Sequence, residues 1–343
     1  KPVAAASIAQ VHFAKTFNDE DVAVKILRPN IKEKFIGDIE LVIFIARFFA
    51  RFSKVAKRIK FLEIMEIFRK NSLIEMDFLY EASAAAELAE NFKNDENIRI
   101  PKVYWDYSAK EILTIERFFG SRIDDIETLK NKGIDVNDIL KKSSLIFVNQ
   151  VLRDGFFHAD MHPGNVLVDD EGKICIFDFG IMGRLDKKTR VFLAELLIGF
   201  LNRDYKKVAD LHFDYGFVPL DQDRDLFAQA CRFINEPILN HPQNQISIAK
   251  LLENLLKMAE DFKMNTDPRL FLLQKTMVMA EGIGRMLNDK ANFWNISEDI
   301  IKDWGKENLG LKSKIFDIFE DVKDILKKLK FLLDEAVSKK NMN

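Results

Sequence analysis

The stretch His158–Gly180, HADMHPGNVLVDDEGKICIFDFG, constrains this chain more than any other part of it. Asp160 stands five residues before Asn165 and eighteen before Asp178. Two short apolar runs, Asn165–Val168 and Lys173–Phe177, flank Asp169-Asp170-Glu171-Gly172. That pattern predicts a β-hairpin with its turn at 169–172. The Asp160–Asn165 pair and the later Asp178 thus stand on either side of that hairpin. A metal loop built from His158, Asp160 and His162 is the weaker reading. His12, His212 and His241 lie in no motif that would complete a familiar ligand set. His158 is instead expected to pack and to hold the loop by hydrogen bonds.

The rest of the chain must supply a fold around that hairpin. With 343 residues, 48% hydrophobic and 31% charged, it is long and apolar enough for one two-lobed domain with a sizeable core. Residues 1–28 read as strands: Val3–Ile8, Gln10–Ala14 and Val22–Ile26, with a turn at Asn18-Asp19-Glu20-Asp21. Helical spacing follows over 31–93. Pro101–Tyr107 and Glu111–Arg117 return to strand patterning around a turn at Ser108-Ala109-Lys110. Ile139–Leu152 reads as a helix, and so does nearly everything after Leu185, with breaks near 216–219, Glu236-Pro237 and Asp267-Pro268. The predicted class is α+β. An N-lobe covers 1–117, with inserted helices at about 32–72. A mostly helical C-lobe covers 118–310, and an amphipathic C-terminal helix covers 311–343.

Against this layout the polar residues read as a phosphoryl-transfer centre. In Val22-Ala23-Val24-Lys25 a lysine closes a half-buried strand, where its ammonium needs anions such as nucleotide phosphates. A glutamate on a helix must hold such a lysine. The run Glu75-Met76-Asp77-Phe78-Leu79-Tyr80-Glu81-Ala82 offers three carboxylates, with Asp77 and Glu81 one turn apart on a predicted helix. Asp160 then takes or orients the nucleophile's proton. Asn165 and Asp178 offer the hard oxygens that Mg²⁺ prefers. Each motif is modest alone, and their joint occurrence is the strong signal.

Three features depart from an ordinary protein kinase. Where a glycine-rich loop should cover the phosphates, the chain has Ala4-Ala5-Ala6-Ser7-Ile8-Ala9-Gln10. Alanine disfavours the positive φ that such loops use, so a stiffer loop is expected. Residues 4–9 alone read equally as a helix start, and the following Val11-His12-Phe13 favours a strand. Glu81 lies 56 residues after Lys25, which leaves room for the inserted helices. No A-P-E follows Asp178, so the usual platform for a peptide substrate is missing.

Together these residues resemble the UbiB family of atypical protein-kinase-like proteins, the ubiquinone (coenzyme Q) biosynthesis group that includes the aarF-domain kinases. The resemblance rests on A-A-A-S-I-A-Q-V-H at 4–12, V-A-V-K at 22–25 and E-M-D-F-L-Y-E-A at 75–82. It rests equally on G-F-F-H-A-D-M-H-P-G-N at 155–165 and D-F-G at 178–180. Leu273-Gln274-Lys275 with Glu281-Gly282 looks like the family's tail. It covers roughly 1–295. It implies that Lys25 pairs with Glu81 and the phosphates, that Asp160 is catalytic, and that Asn165 and Asp178 bind Mg²⁺. Glu75 and Asp77 would belong to an inserted element over the site. Ala4, Ala5, Ala6, Ser7, Ile8 and Ala9 would line the nucleotide. Glu116 and Phe118, beside the lobe junction at Arg117, are further candidates for nucleotide contact. The implied activity is binding of Mg-ATP or Mg-ADP and ATP hydrolysis in support of quinone biosynthesis at a membrane. Older labels in the family speak of polyprenylphenol hydroxylation, for which the chain shows no flavin or iron motif. Met161 stands where the family often has proline. The family's K-x-G-Q segment would lie upstream of Lys1, and membrane-spanning helices beyond Asn343. The chain is therefore expected to be a fragment.

Partners follow from charge and patterning. With 52 basic and 54 acidic residues there is no global attraction to nucleic acid, and none is expected as a partner. Two cysteines, Cys175 and Cys231, make no disulfide framework and suit a reducing compartment. No stretch of 18 apolar residues is free of charges. Arg47, Arg51, Lys54, Lys57 and Arg58 recur at helical spacing beside Ile45, Phe48, Phe49, Phe52 and Val55. That helix either lies on an anionic membrane or packs on a lobe with its basic face in water. Ile315–Leu333 poses the same choice. The expected partners are the nucleotide, lipid quinone precursors or a membrane surface, and quinone-biosynthesis proteins. The expected location is cytoplasmic, peripheral to or anchored at the inner membrane, and mitochondrial in a eukaryote. A small-molecule phosphotransferase of the aminoglycoside or choline kinase type shares H-x-D-x-H-x-x-N and stays open. So does a protein whose nucleotide gates lipid binding.

Overall fold

The computed structural model describes residues 2–5, 8–50, 69, 73, 76–240, 248–264, 268–290 and 293–309. They form two compact units. One comprises Lys1–Phe147, Phe156–Arg184 and Pro268–Asp289; the other comprises Val148–Gly155, Leu185–Asp267 and Lys290–Asn343. These units do not follow the expected lobe boundary at 117. The reason is strand pairing: the hairpin after Asn165 is hydrogen-bonded to strands on both sides of that boundary. The expected helix Ile315–Leu333, the basic run from Arg51 to Arg58, Glu75, Ala6 and Ser7 all lie outside the described residues.

In the first unit, β1 (Ala4–Ala5), β2 (Ala9–Lys15), β3 (Asp21–Leu27) and β5 (Ile112–Glu116) form an antiparallel sheet in the order β1-β2-β3-β5. The β2–β3 register runs from Ala9 opposite Leu27 to Lys15 opposite Asp21. Its turn is set by Thr16, whose Oγ1 accepts from the Asn18 and Glu20 amides at 3.2 Å each. Asp19 sits there at φ 62°, a conformation that aspartate tolerates. A second sheet has the order β4-β9-β8-β6, from β4 (Ile98–Arg99), β6 (Ser121–Arg122), β8 (Val166–Val168) and β9 (Ile174–Ile176). β8 and β9 are the hairpin, with Val168 opposite Ile174. Gly120 is required beside β6, because a Cβ there would lie 2.5 Å from the Val168 carbonyl oxygen. β7 (Phe156–His158) pairs with β10 (Met182–Arg184). The strand expected over Pro101–Tyr107 is reduced to one bridge, Val103 to Ile115. Pro101 has no N–H to give a ladder. Residues Trp105–Tyr107 turn as a 3₁₀ helix, tied by Ser108 Oγ donating to the Tyr104 carbonyl at 2.8 Å.

Helices of the same unit pack beside these strands. α1 (Ile31–Ala50) buries Ile39 and Ile43, one turn apart, and leaves Leu41 and Phe44 exposed. α2 (Phe78–Asn91) buries Phe78, Glu81, Ala82, Ala85 and Leu88, a single apolar stripe carrying one acid. Its core partners are Ala9, Leu27, Met76, Leu113 and Ile115. α3 (Ile126–Asn131) and α4 (Val136–Val148) follow β6, with α4 starting ahead of the expected Ile139.

The second unit is helical, as its apolar spacing predicts. Asn149–Asp154 wind as a π-helical turn, closed by Gly155 at φ 65°. α5 (Lys187–Leu201) and α6 (Tyr205–Asp214) are capped by Asp186 and Asp204, whose carboxylates accept from the Thr189 and Lys207 amides. α7 (Arg224–Asn240), α8 (Ile248–Asp261) and α10 (Phe293–Asn308) complete it, while α9 (Pro268–Leu287) belongs to the first unit. The break expected at Glu236-Pro237 does not occur, and α7 runs to Asn240. Pro237 falls near the helix end, where one missing donor disturbs few later turns.

His212 is buried in this second core. Its ring meets Phe192 edge-on at 5.6 Å and Phe227 at 5.0 Å, and Nδ1 donates to the Val208 carbonyl at 2.7 Å. Burial lowers its pKa. The folded protein therefore disfavours imidazolium, and the unfolded chain binds the extra proton first. Stability from this group is present above the ordinary histidine range and is lost as pH falls through it. Thermal unfolding between pH 7.5 and 5.5 should show a smaller pH slope in His212→Phe than in the wild type. Equal slopes would refute the assignment.

Candidate functional site

The first unit gathers Lys25, Glu81 and Asp178 around one ammonium. β3 delivers Lys25, whose strand neighbours Val11 and Leu113 fix its register in the sheet. α2 delivers Glu81 from its buried stripe. Lys25 Nζ lies 2.8 and 2.9 Å from the two Glu81 oxygens and 3.3 Å from Asp178 Oδ2. It also stands 5.3 Å from the centre of the Phe78 ring. Glu81 Oε1 additionally accepts from the Phe179 amide at 3.4 Å, so α2 and the D-F-G segment are tied together. Phe179 is buried, which sets Asp178 at the edge of the core.

The loop from His158 to Asn165 is ordered by its own polar groups. Asp160 N–H donates to His158 Nδ1 at 3.1 Å. Nδ1 therefore carries no proton, and Nε2–H donates to the Asp178 carbonyl. One buried imidazole thus joins the Asp160 loop to the strand end bearing Asp178. Asn165 Nδ2 donates to the Asp160 carbonyl at 3.2 Å, which leaves its Oδ1 for a cation. Asp178 Oδ1 accepts from Gly180 N–H at 3.1 Å. Asp160 itself is met by Lys275 of α9, with Nζ 3.0 Å from Oδ1.

Charge follows from these contacts. Burial works to lower the Lys25 pKa, but Glu81 and Asp178 outweigh it and hold the ammonium above its usual range. Burial works to raise Asp178, and Lys25 outweighs it, so this carboxyl stays below the usual range. Burial pushes Glu81 upward against the pull of Lys25. His158 is lowered by burial and stays neutral. The thiols take no part: burial pushes Cys175 and Cys231 up to about 12 each, far above the range of a reactive thiolate.

The other expected site residues fall as follows. Asp77 is not within the helix beside Glu81 but caps it, its Oδ1 accepting from Leu79 N–H at 3.2 Å. An aspartate at that position satisfies a free amide of the first turn, which explains why the helix starts after it. Ala4 and Ala5 form β1, Ile8 lies in a bend and Ala9 starts β2. The Ala9 side chain is fully buried in the core, so only its backbone can face a ligand. The strand favoured by Val11-His12-Phe13 forms, with Ala4 opposite Val11 in an antiparallel pair. The Glu116 carboxylate accepts from Arg99 at 2.8 Å and from Lys102 N–H at 3.3 Å. Phe118 packs under the Arg99 guanidinium. Both side chains thus have partners within the unit. Lys275 carries no such sequence signal, because a lysine 115 residues beyond Asp160 stands at no motif spacing from it.

The donor set fits Mg²⁺. Asp178 and Asn165 supply one carboxylate and one amide oxygen, both from the hairpin's open end. Mg²⁺ takes few protein oxygens and completes its octahedron with waters and phosphates.

Comparison with known proteins shows the family. The model of the ABC1 atypical kinase-like domain matches residues 1–212, and that of the UbiB helical domain matches residues 231–292. A probable protein kinase UbiB of Enterobacter sp. (strain 638) is 37% identical over 320 residues, covering 92% of this chain and 59% of that protein. The probable protein kinase UbiB of Pseudomonas aeruginosa (strain LESB58) is 36% identical over 329 residues, covering 95% and 62%. The chain thus spans about three-fifths of the length of these curated relatives. Among solved structures, the Rv3197–erythromycin complex from Mycobacterium tuberculosis superposes with a TM-score of 0.66 at 21% identity, over 88% of this chain and 76% of that one. At that identity the likeness is one of fold, an α+β kinase-like fold, and a kinase-like domain implies nucleotide binding. No helix among the described residues is long and apolar enough to cross a membrane. From its strand-held lysine to its helical tail, the chain belongs to the ABC1/UbiB family of atypical kinase-like proteins.

Proposed function

We propose that the chain binds Mg-ATP and Mg-ADP at the Lys25–Glu81–Asp178 cluster and acts as an ATP-dependent phosphotransferase or ATPase. The observation that carries this is the bidentate Lys25–Glu81 contact with Asp178 on the same ammonium. Lys25 neutralises the α- and β-phosphates. Asp160 receives the proton of the attacking hydroxyl or water. Asp178 and Asn165 would hold Mg²⁺, which when bound offsets the charge of the β- and γ-phosphates. The alanine-rich segment Ala4–Ala9 would cover the phosphates through backbone N–H groups.

The turnover serves ubiquinone biosynthesis at a membrane surface, with lipid quinone precursors or other quinone-biosynthesis proteins as partners. The kinship with UbiB proteins supports this, and so do Leu41 and Phe44, 58% and 70% exposed on α1. On this reading the chain works at the cytoplasmic face of an inner membrane. A second reading is transfer to a small soluble hydroxyl compound, favoured by His162 two residues after Asp160.

The test is thermal unfolding with Mg-ADP and Mg-ATP. Both should raise the melting temperature, and Asp178→Asn should remove the Mg²⁺-dependent part of the rise. A wild type that gains no stability, or an Asp178→Asn variant that keeps all of it, defeats the nucleotide site. Hydrolysis accelerated by anionic vesicles or phenolic quinone precursors supports the membrane assignment. A phosphorylated choline-like or sugar product supports the second reading instead.

A further inference from the structure

A transferring γ-phosphoryl group spreads negative charge over its oxygens, and fixed cations beside it are worth much in rate. The loop that carries Asp160 provides none. Its neighbours Met161, His162, Pro163 and Gly164 include no permanently charged base, and His162 Nε2 stands 3.8 Å from Asp160 Oδ2. The permanent cation comes from elsewhere in the same compact unit. Lys275 Nζ lies 3.0 Å from Asp160 Oδ1, across 115 residues of chain.

The placement is built by the fold. Leu273, Thr276, Ala280, Ile283 and Leu287 are buried and share one face of α9. That stripe fixes the rotation of the helix. α9 packs against β10, and β10 pairs with β7, which ends at His158. His158 in turn receives the Asp160 amide. One scaffold thus positions both the carboxylate and the lysine. The Lys275 side chain is 47% exposed and that of Asp160 30% exposed, so as a stabilising pair this contact is worth little. An ammonium has three donors, and Asp160 takes one. The other two remain for a ligand at the reacting centre.

We propose that Lys275 is a catalytic residue that contacts the γ-phosphate of bound ATP while held by Asp160; this rests on the nucleotide-site reading above. In hydrolysis, a water oxygen bonds to the γ-phosphorus as the bond to the β,γ-bridging oxygen breaks. The electron pair leaves with ADP. The water's proton passes to Asp160 and then to solvent. Lys275 meets the charge on the γ-phosphoryl oxygens throughout and transfers nothing itself.

The experiment compares the wild type, Lys275→Met and Lys275→Arg as full chains. It measures binding of Mg-ADP, binding of the Mg complex of a non-hydrolysable ATP analogue with an imido β,γ-bridge, and ATP turnover. Lys275→Met should bind Mg-ADP within about twofold of the wild type, which also reports that it is folded. It should bind the analogue at least about tenfold more weakly, and kcat should fall by about 10²-fold. Lys275→Arg should recover part of both losses. In an Asp160→Asn background, Lys275→Met should still weaken the analogue relative to ADP, because the contact is with phosphate rather than through the carboxylate. Equal effects on ADP and analogue, or no further effect in that background, overturn the assignment of Lys275 alone. A wild type that binds neither nucleotide overturns the nucleotide site and this assignment with it.

Discussion

Lys25→Met should lower both stability and ATP turnover, and a second substitution should restore only the first. The side chains of Lys25 and Glu81 are 16% and 5% exposed, so the variant leaves a buried carboxylate without its cation. Removing one partner of such a pair costs about 3–5 kcal/mol, whereas replacing both with apolar groups is often neutral. Lys25→Met/Glu81→Leu should therefore regain most of the melting temperature. It should not regain turnover, which needs the ammonium at the phosphates. The loss in the single variant should also depend on pH. Burial already lifts the Glu81 pKa, and losing Lys25 removes the opposing pull. A carboxyl raised by folding gives up stability as pH rises, because the unfolded chain sheds its proton first. The gap between the variant and the wild type should widen from pH 5.5 to pH 8. A single variant as stable as the wild type across that range would show that the pair is not a buried ionic contact.

The parts that were legible in the sequence are those with short-range patterning. The strand carrying Lys25, the hairpin 165–177 and the Glu81 helix all follow from alternation, turn residues and helical spacing. The structure brings their polar residues to one place because antiparallel pairing and one buried helical stripe leave few alternatives. What could not be read depends on long-range contact. Lys275 reaches Asp160 because β10 and α9 pack together, and nothing near Lys275 in the chain records that. Asp77 was misplaced by a single residue of helix boundary: the same aspartate fits a helix face or a cap, and the free amide of Leu79 decides. The Pro101–Tyr107 segment has strand-like residues, yet Ser108 and Thr114 bind its backbone groups and fold it into a turn. Pro237 marks a helix break only where several turns would follow it. The joining of strands β4 and β6, on either side of residue 117, through the hairpin is likewise a long-range contact that no local pattern records.

Phe78→Ala should be the most destabilising single change in the first unit, and Mg-nucleotide should partly repair it. Phe78 is 1% exposed at the first turn of α2, in contact with the cluster of Ala9, Leu27, Met76, Leu113 and Ile115. Truncating a buried phenylalanine costs about 3–5 kcal/mol, from lost burial and the cavity left behind. A domain of ordinary stability has only about 5–15 kcal/mol in total, so the melting temperature should drop steeply. Phe78→Leu keeps most of the volume and should lose clearly less. The same ring lies beneath Lys25 and anchors the helix that presents Glu81. Packing and site are therefore coupled through one residue. A ligand that binds only the folded chain adds stability by mass action, about 2.7 kcal/mol at a hundred times its dissociation constant. Saturating Mg-ADP should consequently recover a large share of the Phe78→Ala loss, and hydrogen exchange should show the recovery in α2 and β3. In Phe78→Ala/Asp178→Asn the Mg²⁺-dependent recovery should disappear. If Mg-ADP stabilised the wild type yet protected neither α2 nor β3, the nucleotide would have to bind away from Lys25, and the coupling argued here would be wrong.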